Sequence, residues 1–263
     1  MQRSVWSWPV VLASCVLSLG ALAYVIYSLS SYRGAEARGK IPSAVAIAAT
    51  TPPVLWQIGS PWVIANTGQC GTPTFPTPTS ADFVLVRNGM SCQRNQLNPV
   101  GNGSDSVYRL TDGQVYEWDF QTTTNMGIDS GKYSQRLIFQ IHQYACGASP
   151  NTVLGIQNLT GTQEWYILSG GKTVTLPYVE GATDTWKFVA KIAPDSTGTE
   201  QWWHNGTLAM DTTGSNFTCG TNPFWNFGPY MWNWLNQGGG TSALNQVEIL
   251  FDYMTLVATD GQP

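Results

Sequence analysis

From residue 82 onward, apolar and polar positions alternate with a period of two. Tyr116, Trp118 and Phe120 alternate with Glu117, Asp119 and Gln121, and Trp186, Phe188, Ala190 and Ile192 alternate with Lys187, Val189 and Lys191. Side chains on a β-strand point alternately to its two faces, so each run buries one face and leaves the other polar. Segments of this kind recur between Gly/Asn/Asp turns at residues 83–87, 91–97, 107–110, 115–121, 135–144, 152–157, 164–168, 173–176, 186–192, 200–204, 207–210, 230–236 and 246–258. His204-Asn205-Gly206 reads as a tight hairpin turn between two of them, which makes His204 a turn-flanking surface residue without chemistry. Many short strands and few helical patterns predict an all-β domain, a two-sheet antiparallel β-sandwich of the jelly-roll kind.

One strand departs from the inside/outside rule. Over residues 136–146, alternation puts Arg136, Ile138, Gln140, His142 and Tyr144 on one face and Leu137, Phe139 and Ile141 on the other. The first face therefore carries an imidazole between an amide and a phenol at two-residue spacing, and histidine is the side chain that titrates near neutral pH. Two other segments share the pattern: Arg94, Gln96 and Asn98 fall on one face, as do Tyr230, Trp232, Trp234 and Asn236. Taken singly, the arginine fits a solvated surface charge and the tryptophans fit a core stripe. Side by side, the three strands form a groove of stacking platforms, amides, a guanidinium and an imidazole, which is the composition of a carbohydrate site.

Charge narrows the partners. The chain has 12 Lys/Arg, 16 Asp/Glu and a formal net charge of −4, which provides no basic field for nucleic acid. With Arg3, Arg33, Arg38, Lys40 and Glu36 set aside, eight cations face 15 anions, so an anionic polymer has to be gripped by a few local cations rather than steered by the whole surface. Residues 4–32 carry no charge and are mostly apolar, long enough to span a bilayer, so 1–33 is expected to be a helical membrane anchor or a signal segment. Residues 34–55, rich in Ala, Pro and Thr, read as a linker, and 56–263 as the β-domain.

Of the five cysteines, Cys15 falls in the apolar run, leaving Cys70, Cys92, Cys146 and Cys219 without Cys-x-x-Cys metal spacing. Two disulfides in an oxidising compartment are expected, in any of three connectivities, which places the domain outside the cell or at its surface.

The motifs in the polar-faced strands bring a family into view. Gln140-Ile141-His142 resembles the Gln-Ile-His strand of jelly-roll polysaccharide lyases of the alginate, glucuronan and heparin lyase types, and Arg94-Asn95-Gln96-Leu97 resembles their Arg-Ser-Glu-Leu strand. The order of the remaining segments is similar over residues 80–260. The resemblance implies β-elimination on an anionic, uronic-acid-containing polysaccharide, with no cofactor and no metal. By position it implies that Arg94 and Gln140 neutralise the uronate carboxylate and His142 removes the C5 proton; the other groups on the polar strand faces, Gln96, Asn98, Arg136, Trp232, Trp234 and Asn236, are expected to hold the sugar.

The family's terminal strand, Tyr-Phe-Lys-Ala-Gly-x-Tyr, carries its acid on the second tyrosine. Matched from Tyr230 onward, that position falls on Leu235 or Asn236, so Tyr144 or Tyr230 has to substitute, or turnover has been lost and a glycan-binding or structural surface protein remains. A third reading, a laminarinase-type glycoside hydrolase, rests on Glu117-x-Asp119-x-Gln121, in which the last carboxylate of the Glu-x-Asp-x-Glu pattern is an amide.

Overall fold

A computed structural model describes residues 52–64, 70–87, 92–100, 108–127, 129, 134–143, 150–159, 161–217, 223–231, 234 and 242–259. The anchor or signal segment, Tyr144, Cys146, Cys219, Trp232 and Asn236 lie outside the described residues. Among the described residues no helix is long and apolar enough to cross a membrane.

Among the described residues fourteen strands follow in chain order: β1 (Val54–Gln57), β2 (Trp62–Ile64), β3 (Ala81–Val86), β4 (Leu97–Pro99), β5 (Val115–Asn125), β6 (Ser134–His142), β7 (Thr152–Asn158), β8 (Glu164–Ser169), β9 (Lys172–Pro177), β10 (Thr183–Lys191), β11 (Thr199–His204), β12 (Thr207–Thr213), β13 (Phe224–Tyr230) and β14 (Gln246–Thr259). They form two antiparallel sheets. The first has the order β1-β14-β5-β10-β11-β12, with β3 also on β14, and the second has the order β2-β4-β13-β6-β7-β8-β9. This is the sandwich expected from the alternation.

The core between the sheets is aromatic. Trp118, Phe120, Phe188 and Phe251 of the first sheet meet Phe139, Trp225 and Phe227 of the second. Phe120 stacks on Phe139 at 5.7 Å and Trp118 meets Trp225 edge-on at 5.9 Å. Each such ring removed from water stabilises the sandwich by roughly 1.5–3 kcal/mol, with about 0.5–1.5 kcal/mol more per well-oriented aromatic pair.

Three segments fall elsewhere than the pattern predicts. In that over 91–97, the described residues enter a strand only at Leu97, where β4 begins. The segment expected over 230–236 ends at Tyr230, where β13 stops, and β13 begins six residues earlier at Phe224. Its sequence, Phe-Trp-Asn-Phe-Gly-Pro-Tyr, is buried along nearly its whole length and so lacks a clean two-residue period. Of the stretch 107–110, the described residues 108–110 contribute only an isolated bridge, Arg109 to Phe224.

Candidate active site

The face of the second sheet turned away from the core is organised by β13 and β6. Phe139 and Phe227 are paired and both point into the core, so their neighbours point outward: Phe224 lies opposite His142 and Asn226 opposite Gln140. Leu97 pairs with Phe227, which puts Asn98 beside Asn226, and isolated bridges set Arg109 beside Phe224 and Arg94 beside Tyr230. Three rows of side chains cross the strands: Arg109, Phe224 and His142; then Asn98, Asn226, Gln140 and Val153; then Arg94, Tyr230, Leu137 and Gly155. Arg94, Gln96, Asn98, Gln140, His142 and Tyr230 thus share one face, drawn from β4 and the segment before it, from β13 and from β6.

Arg136 does not join them. Between Leu137 and Phe139 the pairing of β6 with β7 slips by one residue, so Ile138 is an inserted bulge residue and both Ile138 and Phe139 enter the core. The slip reverses the phase of everything before it. Leu137 and Gln135 take the outer face, and Arg136 turns inward with no exposure. There its guanidinium donates to the Gly127 carbonyl and to Gln163 Oε1. Burial lowers its pKa, opposed by the charges of Asp129, Tyr178 and Glu180. The expectation that Arg136 holds a sugar on the His142 face is therefore corrected.

Trp234 is corrected likewise. It lies beyond the end of β13, 1 % exposed within the main core, with its backbone amide bonded to Met231 and Arg87 5.9 Å over its ring. It is a core tryptophan and offers no stacking platform.

Read from the start of β13 at Phe224, the strand pattern brings a tyrosine into register at Tyr230. Phe224-Trp225-Asn226-Phe227-Gly228-Pro229-Tyr230 fits the Tyr-Phe-Lys-Ala-Gly-x-Tyr pattern with Gly228 on its glycine and Tyr230 on its second tyrosine. Gly228 is required there. Its φ is +106°, and a Cβ would sit 2.4 Å from the Asn95 carbonyl oxygen and 2.8 Å from the Phe83 ring. This kink shifts the register between Phe227 and Tyr230 and brings Tyr230 opposite Leu137.

Individual geometries define what these groups can do. The Arg94 guanidinium lies over the Tyr230 ring, 4.1 Å from its centroid. Gln96 donates from Nε2 to the Gly228 carbonyl at 3.0 Å, so its Oε1 must face Gln140, whose Nε2 donates to it at 3.3 Å. A backbone carbonyl only accepts, so this relay fixes the polarity of both amides and leaves Gln140 one further N–H to give. His142 Nδ1 lies 2.9 Å from the Gln143 carbonyl oxygen and must carry the proton in that contact. In the neutral imidazole Nε2 then holds the lone pair, in a ring stacked on Phe224 at 5.4 Å and 18°. The disulfide Cys70–Cys92 ties down the segment that carries Arg94, and the Cys70 amide bonds the Arg94 carbonyl at 2.7 Å.

Beside Tyr230 the same face opens into a cleft of about 550 Å³ lined by Leu137, Val153, Tyr166, Leu168 and Tyr230 among others. Gln140 and His142 adjoin it rather than line it. Gly155 is what admits Tyr166, since a Cβ at 155 would sit 2.6 Å from that ring.

Two features escaped the sequence. His204 is half-buried: its Nε2 pairs with Asp184 Oδ1 at 2.6 Å and its ring stacks on Trp186 at 4.4 Å, so it fastens its hairpin to β10 rather than sitting free at the surface. Burial works to raise the Asp184 pKa, but hydrogen bonds from His204, Asn205 and Trp165 outweigh it and lower it. Glu200 lies wholly in the core, where burial pushes its carboxyl up to about 8 against a hydrogen bond from Thr152.

Glu117 and Asp119 are on the outward face of β5, in the other sheet. They hydrogen-bond to each other, and Glu117 pairs with Lys187 at 2.8 Å. Burial first, and that hydrogen bond second, raise Asp119 to about 6. The place of the last carboxylate in the Glu-x-Asp-x-Glu pattern is held on this strand by Gln121, an amide. Among the described residues no group of three or more His, Cys, Asp or Glu is gathered to hold a metal.

In sequence the chain matches no family model and no curated protein. In structure it is similar to alginate lyase PA1167 from Pseudomonas aeruginosa, with a TM-score of 0.54, 12 % identity and coverage of 77 % of this chain and 99 % of that one. The chain has the fold of jelly-roll polysaccharide lyases. A second similar structure is endo-β-1,4-glucuronan lyase from the fungus Trichoderma reesei, with a TM-score of 0.53, 14 % identity and coverage of 75 % and 87 %. A third is the marine alginate lyase AlyA1 from Zobellia galactanivorans, with a TM-score of 0.52, 12 % identity and coverage of 76 % and 96 %.

Proposed function

We propose that the protein is a polysaccharide lyase that cleaves a uronic-acid-containing polymer by β-elimination. The observation that carries this reading is the placement of Arg94, Gln140, His142 and Tyr230 on one outer face of the second sheet, across adjoining strands. Arg94 and the remaining N–H of Gln140 bind the uronate carboxylate through charge-assisted hydrogen bonds, which draws negative charge away from C5 and makes its proton acidic. His142 Nε2 takes that proton, the electron pair forms the C4–C5 double bond, and the C4–O bond breaks. The Tyr230 hydroxyl gives its proton to the departing glycosidic oxygen.

A competing reading, a glycan-binding protein without turnover, is favoured by one observation: Gln140 is only 1 % exposed. The two separate when the full chain is incubated with alginate, glucuronan, heparin and hyaluronan and the absorbance of the unsaturated uronate product is followed. Product on any polymer supports the lyase, and polymer binding without product supports the competitor.

The Cys70–Cys92 disulfide supports an extracellular or cell-surface setting, and the uncharged run over 4–32 supports membrane anchorage or secretion as the route there.

A further inference from the structure

His142 is the last residue of β6, and the carbonyl that accepts from its Nδ1 belongs to Gln143, one residue past the strand. The pairing of β6 with β7 ends at Ile141 and Thr152. Beyond that rung the Gln143 side chain continues the connection. It is buried, and its Nε2 donates at 2.5 Å to Oδ1 of Asn151, the residue just ahead of β7.

Asn151 in turn donates from Nδ2 to the backbone carbonyl of Asn216 at 2.8 Å, in the segment that follows β12 of the first sheet. That carbonyl only accepts, so it sets the polarity of the whole line: Asn151 turns Nδ2 to it and Oδ1 to Gln143, which must answer with Nε2. The far end is firm. Asn216 is buried, its Oδ1 accepts from the Ala193 amide at 2.8 Å, its Nδ2 donates to the Lys191 carbonyl at 2.7 Å, and its own amide donates to the Ala193 carbonyl at 3.1 Å. One residue along from Asn151, Thr152 Oγ1 donates to Glu200 Oε1 at 2.7 Å, so the start of β7 is fastened to the first sheet at two successive residues. Asn151 is a fixed post for whatever it holds.

In a neutral imidazole the hydrogen bond made by one nitrogen decides which of the two carries the proton. With Nδ1–H on the Gln143 carbonyl, Nε2 keeps its lone pair. A carbonyl free to drift lets the proton distribute over both nitrogens and the ring turn, and a misplaced base is a slow one.

We infer, on the lyase reading above, that Asn151 is a positioning residue for His142: through Gln143 it holds the carbonyl that keeps the proton on Nδ1, and so keeps Nε2 ready to take the C5 proton.

The test supplies ¹⁵N-labelled histidine to the full chain and reads the imidazole nitrogens by NMR at a pH where the rings are neutral, the His142 signals being those lost in His142→Ala. The parent is expected to show Nδ1 protonated, and Asn151→Ala to show the proton shared between the two nitrogens. On whichever uronate polymer the parent cleaves, Asn151→Ala is expected to lower kcat by at least about tenfold, with KM within about twofold of the parent. A lowered melting temperature with an unmoved tautomer makes Asn151 a stability residue alone and overturns the inference, as does an unchanged kcat or a parent whose proton sits on Nε2. Should Asn151→Ala fail to fold, Gln143→Met, which fills similar space without an amide, is read in the same way. A parent that cleaves no polymer overturns the lyase reading, and the tautomer then decides on its own whether Asn151 positions the imidazole.

Discussion

The guanidinium of Arg94 lies over the ring of Tyr230, 4.1 Å from its centroid, and the two residues are bridged through their backbones. On the proposed mechanism, carboxylate recognition and proton donation are therefore built as one unit, with the ring holding the guanidinium in place and the disulfide at Cys92 holding the chain that carries it. A lysine here keeps the charge but loses the planar fork and the stacking. Arg94→Lys is expected to lower kcat/KM by about a hundredfold, with the melting temperature nearly unchanged. A variant within about twofold of the parent would show that a point charge suffices.

Tyr230 and His142 should separate chemistry from folding. Among the described residues the Tyr230 hydroxyl makes no hydrogen bond, and His142 is half-buried at the end of β6, so neither change opens a core cavity. Tyr230→Phe and His142→Ala are each expected to lower kcat by about 10²–10⁴ while leaving KM within a small factor. Full activity in Tyr230→Phe would return the acid role to another group, and unfolding of His142→Ala would make the imidazole structural.

The sandwich and the His142 face were legible because alternation is a local property: Glu117, Asp119 and Gln121 against Tyr116, Trp118 and Phe120 needs no knowledge of the rest of the chain. The face of Arg136 was not legible, since one inserted residue, Ile138, reverses the phase upstream of it and nothing in Arg-Leu-Ile-Phe-Gln marks the slip. Tyr230 was found but assigned to the wrong end of its strand. The signal was Gly228-Pro229-Tyr230, a glycine two residues before the tyrosine, hidden in an apolar run that buries both faces. Trp234 followed from that misplacement, because a stripe extended past the end of β13 counts a core residue as an outward one.

Arg136 should behave as a stability residue. It is wholly buried, and the charges of Asp129, Tyr178 and Glu180 favour its protonated form. Arg136→Leu removes the compensating cation and the donors to Gly127 and Gln163, with an expected cost of about 3–5 kcal/mol. Denaturant unfolding measures that loss. The KM of the variant at a temperature where it remains folded is expected to match the parent, whereas a raised KM with unchanged stability would return Arg136 to the substrate face.

Glu200 makes stability depend on pH in a direction opposite to that of an ordinary paired carboxylate. In the folded core burial holds its proton up to about pH 8, whereas the ordinary value is 4.5. Between those values the folded state binds more protons than the unfolded one, so the free energy of unfolding falls as pH rises. The contribution is fully present below about pH 4.5 and is lost by about pH 8, a swing on the order of a few kcal/mol. Glu200→Gln keeps an oxygen to accept the hydrogen bond that Thr152 Oγ1 now gives at 2.7 Å, and it removes the ionisation. Thermal melts at pH 5 and pH 9 are expected to show the parent losing stability on the alkaline side relative to the variant, which becomes the more stable of the two at pH 9. Parallel pH profiles would mean that Glu200 ionises in the folded protein as readily as in the unfolded chain, and that the carboxyl bridging β11 to β7 is not held in its neutral form.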